Sequence, residues 1–116
     1  MKPTLIYHNP RCSKSRQTLE LLKQQGVEPQ IVEYLKETPN AKELENILKM
    51  LGMEPRDLMR RKETEYKELG LDNPDLDRNT LIQAMVEHPK LIERPIVINQ
   101  DRAALGRPPE SVLEIL

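Results

Sequence analysis

Short runs of β-forming residues stand at both ends of this chain, and a long stretch with helical periodicity lies between them. Thr4-Leu5-Ile6-Tyr7-His8 reads as a strand stopped by the turn pair Asn9-Pro10. Ser13 to Gln25 places Leu19 and Leu22 on one helical face and meets Gly26, a suitable C-cap. Gln30-Ile31-Val32-Glu33-Tyr34 follows as a second strand, and strand, helix and strand with short links predict a parallel β-α-β unit. Near the other end, Pro95-Ile96-Val97-Ile98-Asn99 is a compact β-branched run. Asp101 to Gly106 is a weaker partner for it in a hairpin, and Pro108-Pro109-Glu110 opens a final helix.

The middle is charged and helical. Asn40-Ala41-Lys42-Glu43 resembles a capping box, Leu44, Ile47, Leu48 and Leu51 follow at helical spacing, and Gly52 stops the element. A second helix is expected from Pro55 to about Lys67. A third runs from about Asp77 to Glu87, with Leu81, Ile82, Met85 and Val86 as its apolar stripe and His88-Pro89 as its end. Leu69 to Pro74 reads as a loop. The order is β-α-β, a helical block, then β-β-α. That is the thioredoxin order with a helical insertion, an α/β fold.

The 116 residues suffice for one modest core, and with no Trp or Phe and three Tyr that core must be aliphatic. Charged residues make up 32% of the chain but nearly cancel, leaving a net charge of -1. A nucleic-acid binder would lean on excess Lys and Arg, so none is expected. No apolar run approaches a membrane span, and the N-terminal residues lack the pattern of a signal peptide, so a cytoplasmic protein is expected. The chain has one cysteine, Cys12. It has no internal disulfide and no multi-cysteine metal site, so redox chemistry at Cys12 must draw electrons from another molecule's thiol.

Cys12 follows a strand and loop and precedes a helix, where unpaired N–H groups and the positive end of the helix dipole favour a thiolate. Arg11, Lys14 and Arg16 add positive charge. The reactive reading competes with a small buried hydrophobe, but the neighbours Arg11, Ser13, Lys14 and Ser15 are poor company for a buried side chain. A Cys-x-x-Cys redox pair would need cysteine where Ser15 stands. A phosphatase loop of the Cys-x5-Arg kind would need arginine where Thr18 stands.

Arg94 and Arg107 each precede a proline, which pushes their backbone toward extended geometry near the ends of the late strands. Their planar forks match tetrahedral oxyanions, although a loop arginine is more often simply solvated. Arg56, Arg60, Arg61 and Lys62 resemble a solvent-facing charged helix face. His8 can tune Cys12 as a Cys–His pair or cap its own strand, and His88 reads as structural.

Tyr7-His8-Asn9-Pro10-Arg11-Cys12-Ser13-Lys14-Ser15-Arg16 resembles the active-site segment of the ArsC family, the glutaredoxin-linked arsenate reductases. Glu93-Arg94-Pro95-Ile96-Val97 and Gly106-Arg107-Pro108-Pro109-Glu110 resemble its later motifs, and Leu58-Met59-Arg60-Arg61-Lys62 its middle segment. The similarity runs from about Thr4 to Leu116. It implies one thioredoxin-like domain, with residues from about 37 to 90 forming an inserted helical subdomain. By position, Cys12 would be the nucleophile, Arg60, Arg94 and Arg107 the oxyanion ligands, His8 and Ser15 tuning residues, and Pro95 a cis-proline. The implied chemistry is attack of the Cys12 thiolate on arsenate, with glutathione as co-substrate, glutaredoxin as reductant and arsenite as product. No metal or bound cofactor is implied, and a monomer is expected.

The loop Arg11-Cys12-Ser13-Lys14 is bulkier and more basic than in the resistance-operon reductases, and this chain lacks their charged tail. It resembles the shorter, housekeeping branch of the family. Two alternatives stand beside the enzyme. Spx-like regulators of RNA polymerase share the fold, but they generally use the Cys-x-x-Cys switch that Ser15 removes. A glutathione-dependent thiol protein or oxyanion binder without arsenate turnover is disfavoured by the retention of all three arginines.

Overall fold

A computed structural model describes residues 3–116 of the chain. It divides into two compact units. One comprises the segment up to Glu37 together with Arg94–Leu116, and the other is Thr38–Glu93.

In the first unit, β1 (Leu5–Tyr7) leads through α1 (Ser13–Gln24) to β2 (Gln30–Val32), and the chain returns as β3 (Ile96–Asn99) and β4 (Arg102–Leu105). The sheet order is β2-β1-β3-β4, with β1 parallel to β2 and antiparallel to β3. β3 and β4 form the expected hairpin, with Gln100 at its turn in a left-handed conformation. Ile6 and Val97 are register partners. Both are fully buried, in one cluster with Leu22 of α1 and Val112 and Ile115 near the C-terminus. Removing side chains of this size from water stabilises the fold by roughly 1.5–3 kcal/mol each. The final segment, Pro109–Ile115, is a 3-10 helix rather than an α-helix. Its buried residues Pro109, Val112 and Ile115 recur every three positions, which matches the 3-10 period.

In the second unit, α2 (Ala41–Leu51) starts with the expected capping box. The Glu43 N–H donates to Asn40 Oδ1 at 2.8 Å, and the Asn40 N–H donates to Glu43 Oε1 at 3.1 Å. It ends at Gly52, whose φ of 67° is the left-handed conformation that glycine adopts without strain. The helix expected from Pro55 to Lys67 is not continuous. Pro55–Leu58 is a 3-10 turn and α3 covers only Thr64–Glu68. Between them Met59 forms an antiparallel bridge with Ile92. The Arg60 N–H donates to Leu91 O at 2.6 Å and the Glu93 N–H to Leu58 O at 2.7 Å. These non-local bonds bury Leu58 and Met59 and displace the local helix. Arg56 likewise departs from the expected solvated face, since it donates to the carbonyls of Leu71 and Asn73 and straps the following loop. α4 (Arg78–Glu87) is capped by Asp77 and buries Leu81, Ile82, Ala84 and Met85. Among the described residues no helix is long and apolar enough to cross a membrane.

Candidate active site

Cys12 is the N-cap of α1, with extended backbone at φ −94° and ψ 123°. Its N–H donates to Asn9 O at 3.0 Å, and its carbonyl accepts the Arg16 N–H at 3.0 Å. Asn9 Oδ1 accepts the Arg11 N–H at 3.0 Å, and Arg16 Nη1 donates to Pro10 O at 2.9 Å. The loop between β1 and α1 is thus pinned from both ends, and the cysteine cannot drift from the helix mouth. The sulfur is covered more than the sequence suggested, with 9% of Cys12 exposed. The reason is orientation. Arg11, Ser13 and Lys14 face solvent while the N-cap side chain turns inward.

Arg107 Nη2 lies 3.7 Å from Cys12 Sγ, and Arg107 Nε donates to Arg94 O at 2.7 Å. The two proline-preceding arginines are therefore joined beside the sulfur, and the Arg94–Pro95 and Arg107–Pro108 peptides are both cis. Burial pushes the Cys12 thiol up. The Ser15 N–H, the Arg94 guanidinium and the Lys14 N–H act against it and leave its pKa below the ordinary value for cysteine. The sulfur accepts no regular capping hydrogen bond, so the amides act chiefly through their dipoles. Arg94 Nε is buried without a hydrogen-bond partner, an unmet donor on a group that contacts the sulfur.

His8 and Ser15 are also in this unit, but the imidazole's hydrogen bond goes to Ser15 rather than to Cys12. His8 Nδ1 lies 2.6 Å from Ser15 Oγ, which also accepts the Asn9 N–H at 3.1 Å. The hydroxyl's proton and two lone pairs serve both contacts in either imidazole tautomer. Burial lowers the His8 pKa, Glu33 opposes, and Arg16 and Lys23 lower it further. Arg60 belongs to the other unit, where its Nη1 pairs with Glu63 Oε1 at 3.0 Å.

Two contributors escaped the sequence reading. Thr18 is fully buried, its hydroxyl donating to Lys14 O at 2.8 Å. Gly106 donates its N–H to Pro95 O at 2.9 Å, and a Cβ there would collide with Thr18 Oγ1 and stand 2.7 Å from Pro95 Cγ. The signal was present in α1. Its buried row is Ser15, Thr18 and Leu22 at helical spacing, with Leu19 only partly buried beside it.

The chain matches the model described as the ArsC family over residues 7–115. The chain belongs to the ArsC family. It is 55% identical over 113 residues to an arsenate reductase of Haemophilus influenzae, covering 97% of each chain. It is 58% identical over 116 residues to the uncharacterized protein YfgD of Escherichia coli K12, covering 99% of this chain and 98% of that one. A solved arsenate reductase from Vibrio cholerae superposes with a TM-score of 0.96 at 54% identity, covering 98% of both chains. The thioredoxin-like α/β fold expected from the order of elements is the fold of this ArsC member.

Proposed function

We propose that this ArsC protein is an oxidoreductase that reduces arsenate to arsenite, with glutathione and glutaredoxin as the source of electrons. The observation that supports the reading most is the 3.7 Å approach of Arg107 Nη2 to the Cys12 sulfur at the mouth of α1. A nucleophile and an anion-binding fork share one small space, in a chain more than half identical to proteins named arsenate reductase.

In the first step the Cys12 thiolate attacks arsenic(V), an As–S bond forms, and one oxygen leaves as water after taking a proton. Arg94 and Arg107 balance the negative charge of the remaining oxygens, a role the resemblance also gives to Arg60. Glutathione then adds its sulfur to arsenic and a second oxygen leaves as water. A glutaredoxin thiolate attacks the glutathione sulfur. The new S–S bond forms a mixed disulfide, and the As–S electron pair passes to arsenic, which becomes arsenic(III). Water cleaves the remaining As–S bond, releasing arsenite and the Cys12 thiolate. The lone cysteine supports this route, because the chain holds no second thiol to resolve the adduct. On this reading the protein works as a cytoplasmic monomer with no bound cofactor. His8 and Ser15 hold the loop that presents Cys12.

The test is a coupled assay with arsenate, glutathione, glutaredoxin, glutathione reductase and NADPH, following NADPH oxidation. Arsenate-dependent turnover in the wild type and its loss in Cys12→Ser is the expected result. Equal rates in both, or none in either, would replace the enzyme with an oxyanion-binding thiol protein.

A further inference from the structure

The basic residues around Cys12 divide into two sets. Arg107 is committed to Arg94 O and the sulfur, and Arg16 is held against Pro10 O. Arg11 and Lys14 are different. Both side chains are exposed, they lie immediately before and two residues after the cysteine, and among the described residues no ion pair or side-chain hydrogen bond engages either cation. The first turn of α1 carries no acidic residue to neutralise them. Positive potential on the solvent side of the thiol therefore has nothing within the loop to cancel it.

A second thiol that reacts with Cys12, or with an adduct on it, must come from that solvent side. We infer that Arg11 and Lys14 form an outer docking site for the two carboxylates of glutathione, so that the thiol mouth favours an anionic thiol partner over a neutral one. The arsenic step of this idea rests on the proposed function. The docking itself does not, because it acts equally on thiol–disulfide exchange at Cys12.

That exchange supplies the test. Reduced protein is mixed with glutathione disulfide. The Cys12 thiolate attacks one sulfur, the S–S bond breaks, glutathione thiolate leaves, and intact mass reports the mixed disulfide. The neutral comparator is 2-hydroxyethyl disulfide. Wild type, Arg11→Ala, Lys14→Ala and the double variant are compared, with the pH midpoint of iodoacetamide alkylation recorded for each to separate any change in the thiolate itself. The ratio of the glutathione-disulfide rate to the neutral rate is expected to fall roughly two- to fivefold for each cation removed, and to decline with salt in the wild type. A ratio unchanged in the double variant, or both rates falling together, overturns the docking site. The ratio is read without arsenate, so a falling ratio in a protein that fails the coupled assay removes the reductase and keeps the docking site. Turnover with an unchanged ratio does the reverse.

Discussion

Replacing Arg107 with alanine removes the guanidinium nitrogen 3.7 Å from the Cys12 sulfur. Two unit charges at that distance interact by ~1 kcal/mol in a water-like dielectric, the fitting limit because Arg107 is exposed. That energy favours the thiolate, so its loss shifts the thiol–thiolate ratio about fivefold toward the thiol. The sign follows directly. Without the cation the Cys12 pKa rises, and at a pH below the midpoint the alkylation rate falls about fivefold while the high-pH limiting rate stays put. Iodoacetamide is the right probe because it is neutral and does not itself feel the missing charge. Arg107→Lys should retain part of the effect, since a lysine keeps the charge but cannot reach Arg94 O and the sulfur with one fork. A midpoint that stays fixed or falls in Arg107→Ala would refute the electrostatic account of the site. In the coupled assay the same variant should lose about 2.7–4 kcal/mol of transition-state stabilisation in kcat/KM, the scale of an oxyanion-hole donor.

Gly106→Ala should destabilise the fold by about 1–3 kcal/mol, because the new methyl meets Thr18 Oγ1 and Pro95 Cγ with little room to yield. An unchanged urea midpoint would show that this approach is looser than the structure indicates. His8 has a pKa lowered from 6.5, so its contribution to stability is complete above 6.5 and is lost as pH falls through the depressed native value. The denaturant midpoint of the wild type should therefore drop from about pH 6.5 downward, and His8→Gln should flatten that part of the profile. Glu45 and Asp77, whose pKa values are lowered from 4.5 and 3.8, act in a more acidic window. Parallel profiles for the two proteins between about pH 5 and 7 would remove His8 from the argument.

Much of the site was legible because its signals are local. Cys12 precedes the helix that polarises it, and the Asn40–Glu43 box and the Gly52 stop are written in consecutive residues. Arg94 and Arg107 were recognisable through their prolines and their motifs, but nothing in their spacing says that Arg107 reaches both Arg94 O and the sulfur. The helix expected from Pro55 failed for the same reason. A bridge to Ile92, far along the chain, took the Arg60 N–H and the Leu58 carbonyl instead.

Sequence alone determined the order of strands and helices, the cap and stop of α2, and the single thiol available for covalent chemistry. Those depend on hydrophobic period, caps and residue counts, which act over a few positions. Only the tertiary structure decided that Ser15 takes the His8 ring, that Arg107 leans on the thiol, and that the N-cap side chain is covered while its neighbours face water. The Arg107 contact joins residues 95 positions apart and exists only once the sheet has brought both ends together, while the His8–Ser15 pair, seven positions apart, forms only once α1 packs against the end of β1.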